Sequence, residues 1–120
     1  EELMKNCPNI AEVATPLLGA KLITEAHSLK RLSSLPGSTV QILGAEKALF
    51  RHLKTGAKMP KHGIIIHHPI MPKLPYKLHG KAARALADKI SIASRIDYFK
   101  GEFIGDKLKK QIIKKLNTDY

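Results

Sequence analysis

The 120-residue sequence contains no tryptophan, and phenylalanine and tyrosine together make up only 5% of it. Any hydrophobic core must therefore consist mainly of aliphatic side chains. The single cysteine, Cys7, excludes an internal disulfide and a zinc site built from several thiolates. No apolar run approaches the roughly 18 residues that cross a membrane, and no signal peptide opens the sequence. We therefore expect a soluble intracellular protein of one domain.

Acidic residues are absent between Glu46 and Asp88, although the flanking segments contain all 10 of them. The whole chain has 21 lysines and arginines and a formal net charge of +11. The basic residues of the acid-free stretch are Lys47, Arg51, Lys54, Lys58, Lys61, Lys73, Lys77, Lys81 and Arg84. Such clustering favours a nucleic-acid partner, because phosphates attract the cations and release condensed counterions. A lysine-rich surface that serves only solubility is the alternative.

Apolar residues recur at helical spacing through most of the chain and predict an all-α domain. The expected helices cover about residues 9–25, 28–35, 45–54, 80–99 and 105–116. Pro16 either starts a helix inside the first range or kinks one. Ser38 and Gln41 fit a capping box. Between the third and fourth helices, Ile64–Ile66 is β-branched and predicts a short strand-like or buried extended segment around 63–67.

The helix predicted at 45–54 is amphipathic. Its apolar side is formed by Ala45, Ala48, Leu49 and Leu53, with Phe50 at the margin. Its opposite side carries Lys47, Arg51 and Lys54, and the charge continues through Lys58 and Lys61. No glutamate lies four residues from these cations to pair with them, so we favour phosphate binding over an ordinary solvated face. The amides that follow Gly44 could also receive a phosphate, although Glu46 opposes an anion there.

Three histidines, His62, His67 and His68, surround the isoleucine run and allow several interpretations. Their spacing does not match a zinc site, and no nearby Cys, Asp or Glu completes one. A general acid–base pair for RNA cleavage would need a nucleophile or metal that the segment lacks. An imidazole on a rigid segment suits stacking on an unpaired base, which we favour. The remaining alternative is that they are surface histidines of a loop.

Asp97 lies near the inner face of the helix predicted at 80–99. A buried carboxylate needs a partner. We therefore interpret Asp97 as half of a structural ion pair or as a helix-capping group rather than as a catalytic acid.

Five segments resemble the Nop domain of box C/D small ribonucleoprotein scaffold proteins, a domain with a relative in the spliceosome. They are STVQILGAEKALFR at 38–51, LKTG at 53–56, PKHG at 60–63, GKAAR at 80–84 and ASRID at 93–97. The resemblance covers the chain from about Pro8 to the last helix and is nearest to archaeal members. It implies a compact helical Nop domain at 9–120, preceded at 1–8 by the tail of a coiled coil or a linker.

The resemblance also implies a function. Such domains recognise a kink-turn in guide RNA together with the small ribosomal-protein-like protein bound to it. The full-length proteins recruit fibrillarin and dimerise through a coiled coil, and so support RNA-guided 2′-O-methylation. By resemblance, Gly44–Arg51 approaches the RNA backbone and His67 contacts a base or its neighbour. The resemblance implies no catalytic residue, metal, cofactor or membrane contact, and a cytoplasmic location in archaea or a nucleolar one in eukaryotes.

The sequence therefore predicts that Lys47, Arg51, Lys54, Lys58 and Lys61 neutralise phosphates, with Lys81 and Arg84 as weaker candidates. His67 would supply local recognition, supported by His62 and His68. Two other functions stay open. One is a small RNA-processing enzyme that uses His67 or His68, and the other is a helix-turn-helix DNA-binding protein with 45–54 as its recognition helix.

Overall fold

The computed structural model describes residues 5–120, so the beginning of the predicted coiled-coil tail lies outside the described residues. From Pro8 onward the α-helices are α1 (Pro8–Ala14), α2 (Pro16–Ala26), α3 (Leu29–Ser34), α4 (Gly37–Ile42), α5 (Glu46–Thr55), α6 (His79–Tyr98) and α7 (Gly105–Leu116). Three 3₁₀ turns, Ile64–His67, Met71–Lys73 and Tyr76–Leu78, connect α5 to α6. The all-α prediction is confirmed, since residues 5–120 contain no strand.

The first predicted helix is two helices, α1 and α2, that meet at Thr15. The backbone of Thr15 has φ 75° and ψ 152°, which ends α1. The following Pro16 disfavours an α conformation at Thr15 and supplies a suitable φ for the first position of α2. Of the two alternatives for Pro16, a helix start is therefore confirmed.

The capping box predicted at Ser38 and Gln41 is wrong. Helix α4 begins at Gly37, and its N-cap, two residues before Ser38, is Pro36, which makes no side-chain cap. The side chain of Gln41 instead donates a hydrogen bond from Nε2 to the carbonyl of Lys61 across 2.7 Å. Gln41 therefore connects α4 to the segment that follows α5.

Helix α6 forms the centre of the fold and packs against α1, α3, α4 and α7. Its buried residues include Ala82, Ala83, Leu86, Ile90 and Ala93, which recur at helical spacing. Alanine on this face lets neighbouring helices approach closely. Helix α7 has the predicted bounds and buries Leu108, Ile112 and Leu116.

Asp97 is buried near the end of α6 and caps the start of α1. Its Oδ1 accepts hydrogen bonds from the backbone N–H and the side-chain Nδ2 of Asn9, at 3.1 and 2.9 Å. Its Oδ2 accepts a bond from the N–H of Ile10 at 2.9 Å. The two backbone N–H groups belong to the first turn of α1 and have no partner within their own helix. The helix-capping interpretation of Asp97 is confirmed.

The segment 63–67 is not strand-like, because Ile64–His67 is one turn of 3₁₀ helix. The N–H groups of Ile66 and His68 donate to the carbonyls of Gly63 and Ile65, at 3.2 and 3.1 Å. A strand needs a neighbouring strand for its backbone hydrogen bonds, and none exists within the described chain. The turn satisfies these groups locally while Ile65 is fully buried.

Candidate nucleic-acid interface

Helix α5 lies on the surface and has no buried residue. Its predicted position is confirmed, but its apolar side is not buried in the core. The side chains of Leu53 and Phe50 are 73% and 62% exposed. Helix α5 therefore displays both a charged and an apolar face to solvent. It also lacks the close packing on a preceding helix that a helix-turn-helix recognition helix has.

The segment before α5 and the segment after it are hydrogen-bonded to each other. We call residues 45–58 the arm and residues 59–62 the return segment. Next to them, the N–H of Gly63 donates to the carbonyl of Gln41 at 2.8 Å, and the N–H of Ile64 donates to the carbonyl of Leu43 at 2.9 Å. Gly63 must be glycine, since a Cβ there would lie 2.0 Å from the oxygen of Leu43. The arm thus leaves the body and returns to it at one point.

The N-terminus of α5 differs from the prediction at Gly44. The N–H of Gly44 donates to Oε2 of Glu46 at 2.6 Å, so this amide already has an anionic partner. The N-cap residue, Ala45, makes no side-chain cap. Gly44 contributes through its backbone instead, with φ +93°. The N–H of Gly44 is therefore occupied by Glu46, whereas phosphate binding by the amides that follow Gly44 stays a prediction.

The predicted phosphate-binding residues of the arm are all exposed. They are Lys47, Arg51, Lys54 and Lys58. Within residues 5–120, no carboxylate forms an ion pair with any of these four. The Nζ of Lys54 lies 5.2 Å from the centroid of the Phe50 ring, which is a cation–π distance. The arm therefore presents unpaired cations that an anion can neutralise.

His67 and His68 are adjacent in sequence but have opposite environments. His67 ends the first 3₁₀ turn and is exposed. It lines a small surface hollow together with Thr15, Leu17, Lys21 and Pro69. Lys21 is a cation that the sequence did not connect with His67, because the two residues lie 46 positions apart. His67 is therefore accessible to a ligand, as predicted.

His68 is fully buried, so its predicted role in RNA recognition is wrong. Its Nδ1 accepts a hydrogen bond from the N–H of Ile70 at 3.1 Å, and its Nε2 donates to the carbonyl of Val13 at 3.0 Å. The hydroxyl of Tyr120 donates to the same carbonyl at 2.7 Å. Burial lowers the pKa of His68 to about 4, which keeps the ring neutral. His68 closes the C-terminal end of α1.

The other predicted residues lie around a groove of about 790 Å³ beside the return segment. The predicted residues that line it are Lys61, His62, Lys81 and Arg84. The groove also contains Lys77 and Lys115, which the sequence did not single out. Lys77 belongs to the acid-free stretch. Nothing in the sequence connects Lys115 with the groove, because Lys115 reaches the groove only through the packing of α7 in the fold.

The described residues do not form an enzyme-like constellation of histidines. His67 and His68 do not converge, because one is exposed and the other is in the core. Within residues 5–120, no group of three or more His, Cys, Asp and Glu side chains is placed to hold a metal ion. In the same range, no helix combines the length and the apolar character of a membrane span.

Comparison with known proteins identifies relatives over nearly the whole chain. The family model named Nop, described as "snoRNA binding domain, fibrillarin", matches residues 1–118. An uncharacterized NOP5 family protein of Methanocaldococcus jannaschii is 49% identical over 117 residues, which are 97% of this chain and 28% of that protein. Nucleolar protein 56 of Schizosaccharomyces pombe is 50% identical over 113 residues, 92% of this chain and 23% of that protein. The chain spans roughly a quarter of the length of these relatives.

Solved structures include a chain of similar fold. The crystal structure of a fibrillarin/Nop5p complex aligns with 98% of this chain and 43% of that chain, with a TM-score of 0.76 and 39% sequence identity. The resemblance that the segments at 38–51 and 93–97 suggested is thereby confirmed in both sequence and fold.

Proposed function

The chain belongs to the Nop family, and we propose that it binds a kink-turn of box C/D guide RNA together with the small ribosomal-protein-like protein already bound there. The observation that carries this proposal is the arm. Its helix displays unpaired cations on one side and exposed apolar residues on the other, while its base is fixed to the body. A composite target of RNA and protein offers phosphates to the first side and apolar surface to the second.

Phosphate contacts supply the sequence-independent part of this affinity. If Lys47, Arg51, Lys54 and Lys58 each neutralise one phosphate, the slope of log affinity against log salt is roughly −3 to −4. His67, exposed in the turn beside the base of the arm, supplies local recognition by stacking on a base or by a hydrogen bond to its edge.

The wider role belongs to the longer protein of which this domain forms a part in its relatives. There the domain acts as a non-catalytic scaffold: other segments recruit fibrillarin and dimerise through a coiled coil, and the assembly guides 2′-O-methylation. We infer a cytoplasmic site of action in an archaeon and a nucleolar one in a eukaryote. Residues 1–8 are the end of the coiled coil or a linker in this proposal.

A gel-shift experiment tests the proposal directly. The protein is titrated against a labelled kink-turn RNA, either naked or loaded with its primary binding protein, at several salt concentrations. We expect a tighter shift with the loaded RNA, the salt slope given above, and intact RNA after incubation. Equal affinity for loaded and naked RNA, or affinity that does not change with salt, would reject the composite target. RNA cleavage would favour a processing enzyme.

A further inference from the structure

The groove beside the return segment is separate from the charged face of α5, and cations from four parts of the chain surround it. Lys81 and Arg84 lie one turn apart at the start of α6. The return segment contributes Lys61, the third 3₁₀ turn contributes Lys77, and the end of α7 contributes Lys115.

Among residues 5–120, no aspartate or glutamate lines this groove. A neighbouring hollow differs in this respect, since Asp88 lines it together with Lys89 and Lys115. Within residues 5–120, Lys61, Lys77, Lys81 and Arg84 have no ion-pair partner. Like charges that line one groove repel one another unless an anion joins them. The groove is therefore electrostatically suited to more than one phosphate.

The groove also contains an aromatic surface in a fixed position. The side chain of Tyr76 is 71% exposed, and its ring forms a T-shaped pair with the His79 ring, with centroids 5.8 Å apart and an interplanar angle of 71°. The Nε2 of His79 lies 2.8 and 3.0 Å from the carbonyl oxygens of Met71 and Leu74, to which it can donate. His79 is thus held in place by backbone acceptors, and the Tyr76 ring packs against it.

We propose that this groove binds a short single-stranded RNA segment, with its phosphates between the cations and an unpaired base stacked on Tyr76. Cations combined with an exposed aromatic ring are the features by which proteins hold unpaired strands. A duplex offers phosphates but no free base face for Tyr76, so it would use only half of the site. The inference rests on the proposed function in one respect, that the ligand is RNA.

Fluorescence anisotropy with a labelled hexauridine RNA tests the proposal on the whole 120-residue chain. The double variant Lys81→Ala/Arg84→Ala should bind hexauridine at least tenfold more weakly. The matched control is Lys107→Ala/Lys110→Ala, which removes the same charge at the same spacing from the exposed side of α7. This control should weaken binding less than threefold. Equal losses of affinity in the two variants would overturn the proposal, since the overall positive charge of the protein would then explain the binding.

Two further measurements test the stacked base. Tyr76→Ala should weaken hexauridine binding at least fivefold, whereas Tyr76→Phe should retain it. The same Tyr76→Ala change should have no effect on an abasic hexamer of equal charge. An equal effect on both oligomers would overturn the stacking contact. Displacement of hexauridine by a polyglutamate peptide of equal charge would also overturn the proposal, because the groove would then select only charge.

This experiment is separable from the test of the proposed function. If the groove variant loses hexauridine while the loaded kink-turn RNA binds no better than the naked one, the proposed composite target fails and the groove stands. If the loaded kink-turn RNA is preferred and the groove variant still binds hexauridine normally, the groove proposal fails alone. All variants are first compared by far-ultraviolet circular dichroism, and their exposed positions are expected to leave the fold intact.

Discussion

Gly44 and Ile64 are in contact at the base of the arm, where a Cβ built on Gly44 would lie 2.5 Å from Cγ2 of Ile64. Gly44 has a φ of +93°, a conformation that other residues rarely adopt. Ile64 begins the turn that ends in His67. The contact between Gly44 and Ile64 therefore links the direction of the arm to the position of His67.

We predict that Gly44→Ala displaces the arm and weakens binding of the loaded kink-turn RNA about tenfold or more. The chain offers a matched control in Gly56→Ala. Gly56 also has a positive φ, +75°, but a Cβ there meets nothing within 4 Å. Both variants add backbone strain of roughly 1–2 kcal/mol, and only the first forces Ile64 aside. Adding Ile64→Ala to Gly44→Ala should recover part of the affinity. Equal affinity losses in the two glycine variants would contradict this account.

A second prediction concerns the apolar face of α5. Phe50→Ala and Leu53→Ala should each change the free energy of unfolding by less than about 0.5 kcal/mol, since neither side chain is buried. In contrast, Leu86→Ala in the core of α6 should cost about 2–5 kcal/mol. Urea unfolding measures both. If either surface variant costs as much as Leu86→Ala, the face packs within the domain and is not free for a partner.

This exposed face also shows where sequence reasoning fails. The spacing of Leu49 and Leu53 on α5 resembles that of Leu108 and Ile112 on α7, and both patterns predict an amphipathic helix correctly. Only α7 buries its apolar side. The sequence pattern shows which side of a helix is apolar. It does not show whether that side packs within the domain, because a side that is covered only by a partner in an assembly has the same pattern.

The histidine pair and the groove show the same limitation at single residues. His67 and His68 are the same residue type, and a 3₁₀ turn in place of an extended segment decides which of them is buried. Lys115 joins the groove only because α7 packs on α6. The helices themselves and the capping role of Asp97 were predictable, since periodicity and burial of a charge are local signals. The identity of its partner, Asn9, was not.

The third prediction concerns His67. Replacing it with alanine should lower the affinity for the loaded kink-turn RNA by about 1–3 kcal/mol if the imidazole stacks on a base. Substitution by tyrosine should retain most of that affinity, whereas glutamine should retain it only if the contact is a hydrogen bond. Anisotropy titrations at constant salt separate the two. An unchanged dissociation constant for His67→Ala would remove His67 from the interface.

The fourth prediction tests the cap on α1. Asp97→Ala leaves two backbone amides and the Asn9 amide without their acceptor, and we expect a cost of about 3 kcal/mol or more in the free energy of unfolding. Asp97→Asn should also destabilise the protein, because its amide nitrogen would oppose an N–H donor. Glu25→Ala, which removes an exposed carboxylate, is the control and should cost less than about 0.5 kcal/mol. A similar small cost for Asp97→Ala would contradict the capping role.

The last prediction follows from the burial of His68. Burial lowers the pKa of this residue from 6.5 to about 4 in the folded protein, and the positive charge of Lys109 acts in the same direction. Between these two values the unfolded chain binds more protons than the folded one, so the free energy of unfolding rises with pH. This contribution, about 3 kcal/mol, is present above pH 6.5 and is lost as the pH falls to 4.

Urea unfolding of the wild type and of His68→Gln at pH 7 and pH 4 isolates this contribution from other titrating groups. The variant should be less stable at pH 7, because glutamine cannot reproduce both the bond to Val13 and the bond from Ile70. Its loss of stability between pH 7 and pH 4 should be smaller than that of the wild type by about 3 kcal/mol. Equal losses of stability in the two proteins would mean that His68 titrates normally. The assignment of a buried, neutral imidazole at the end of α1 would then be wrong.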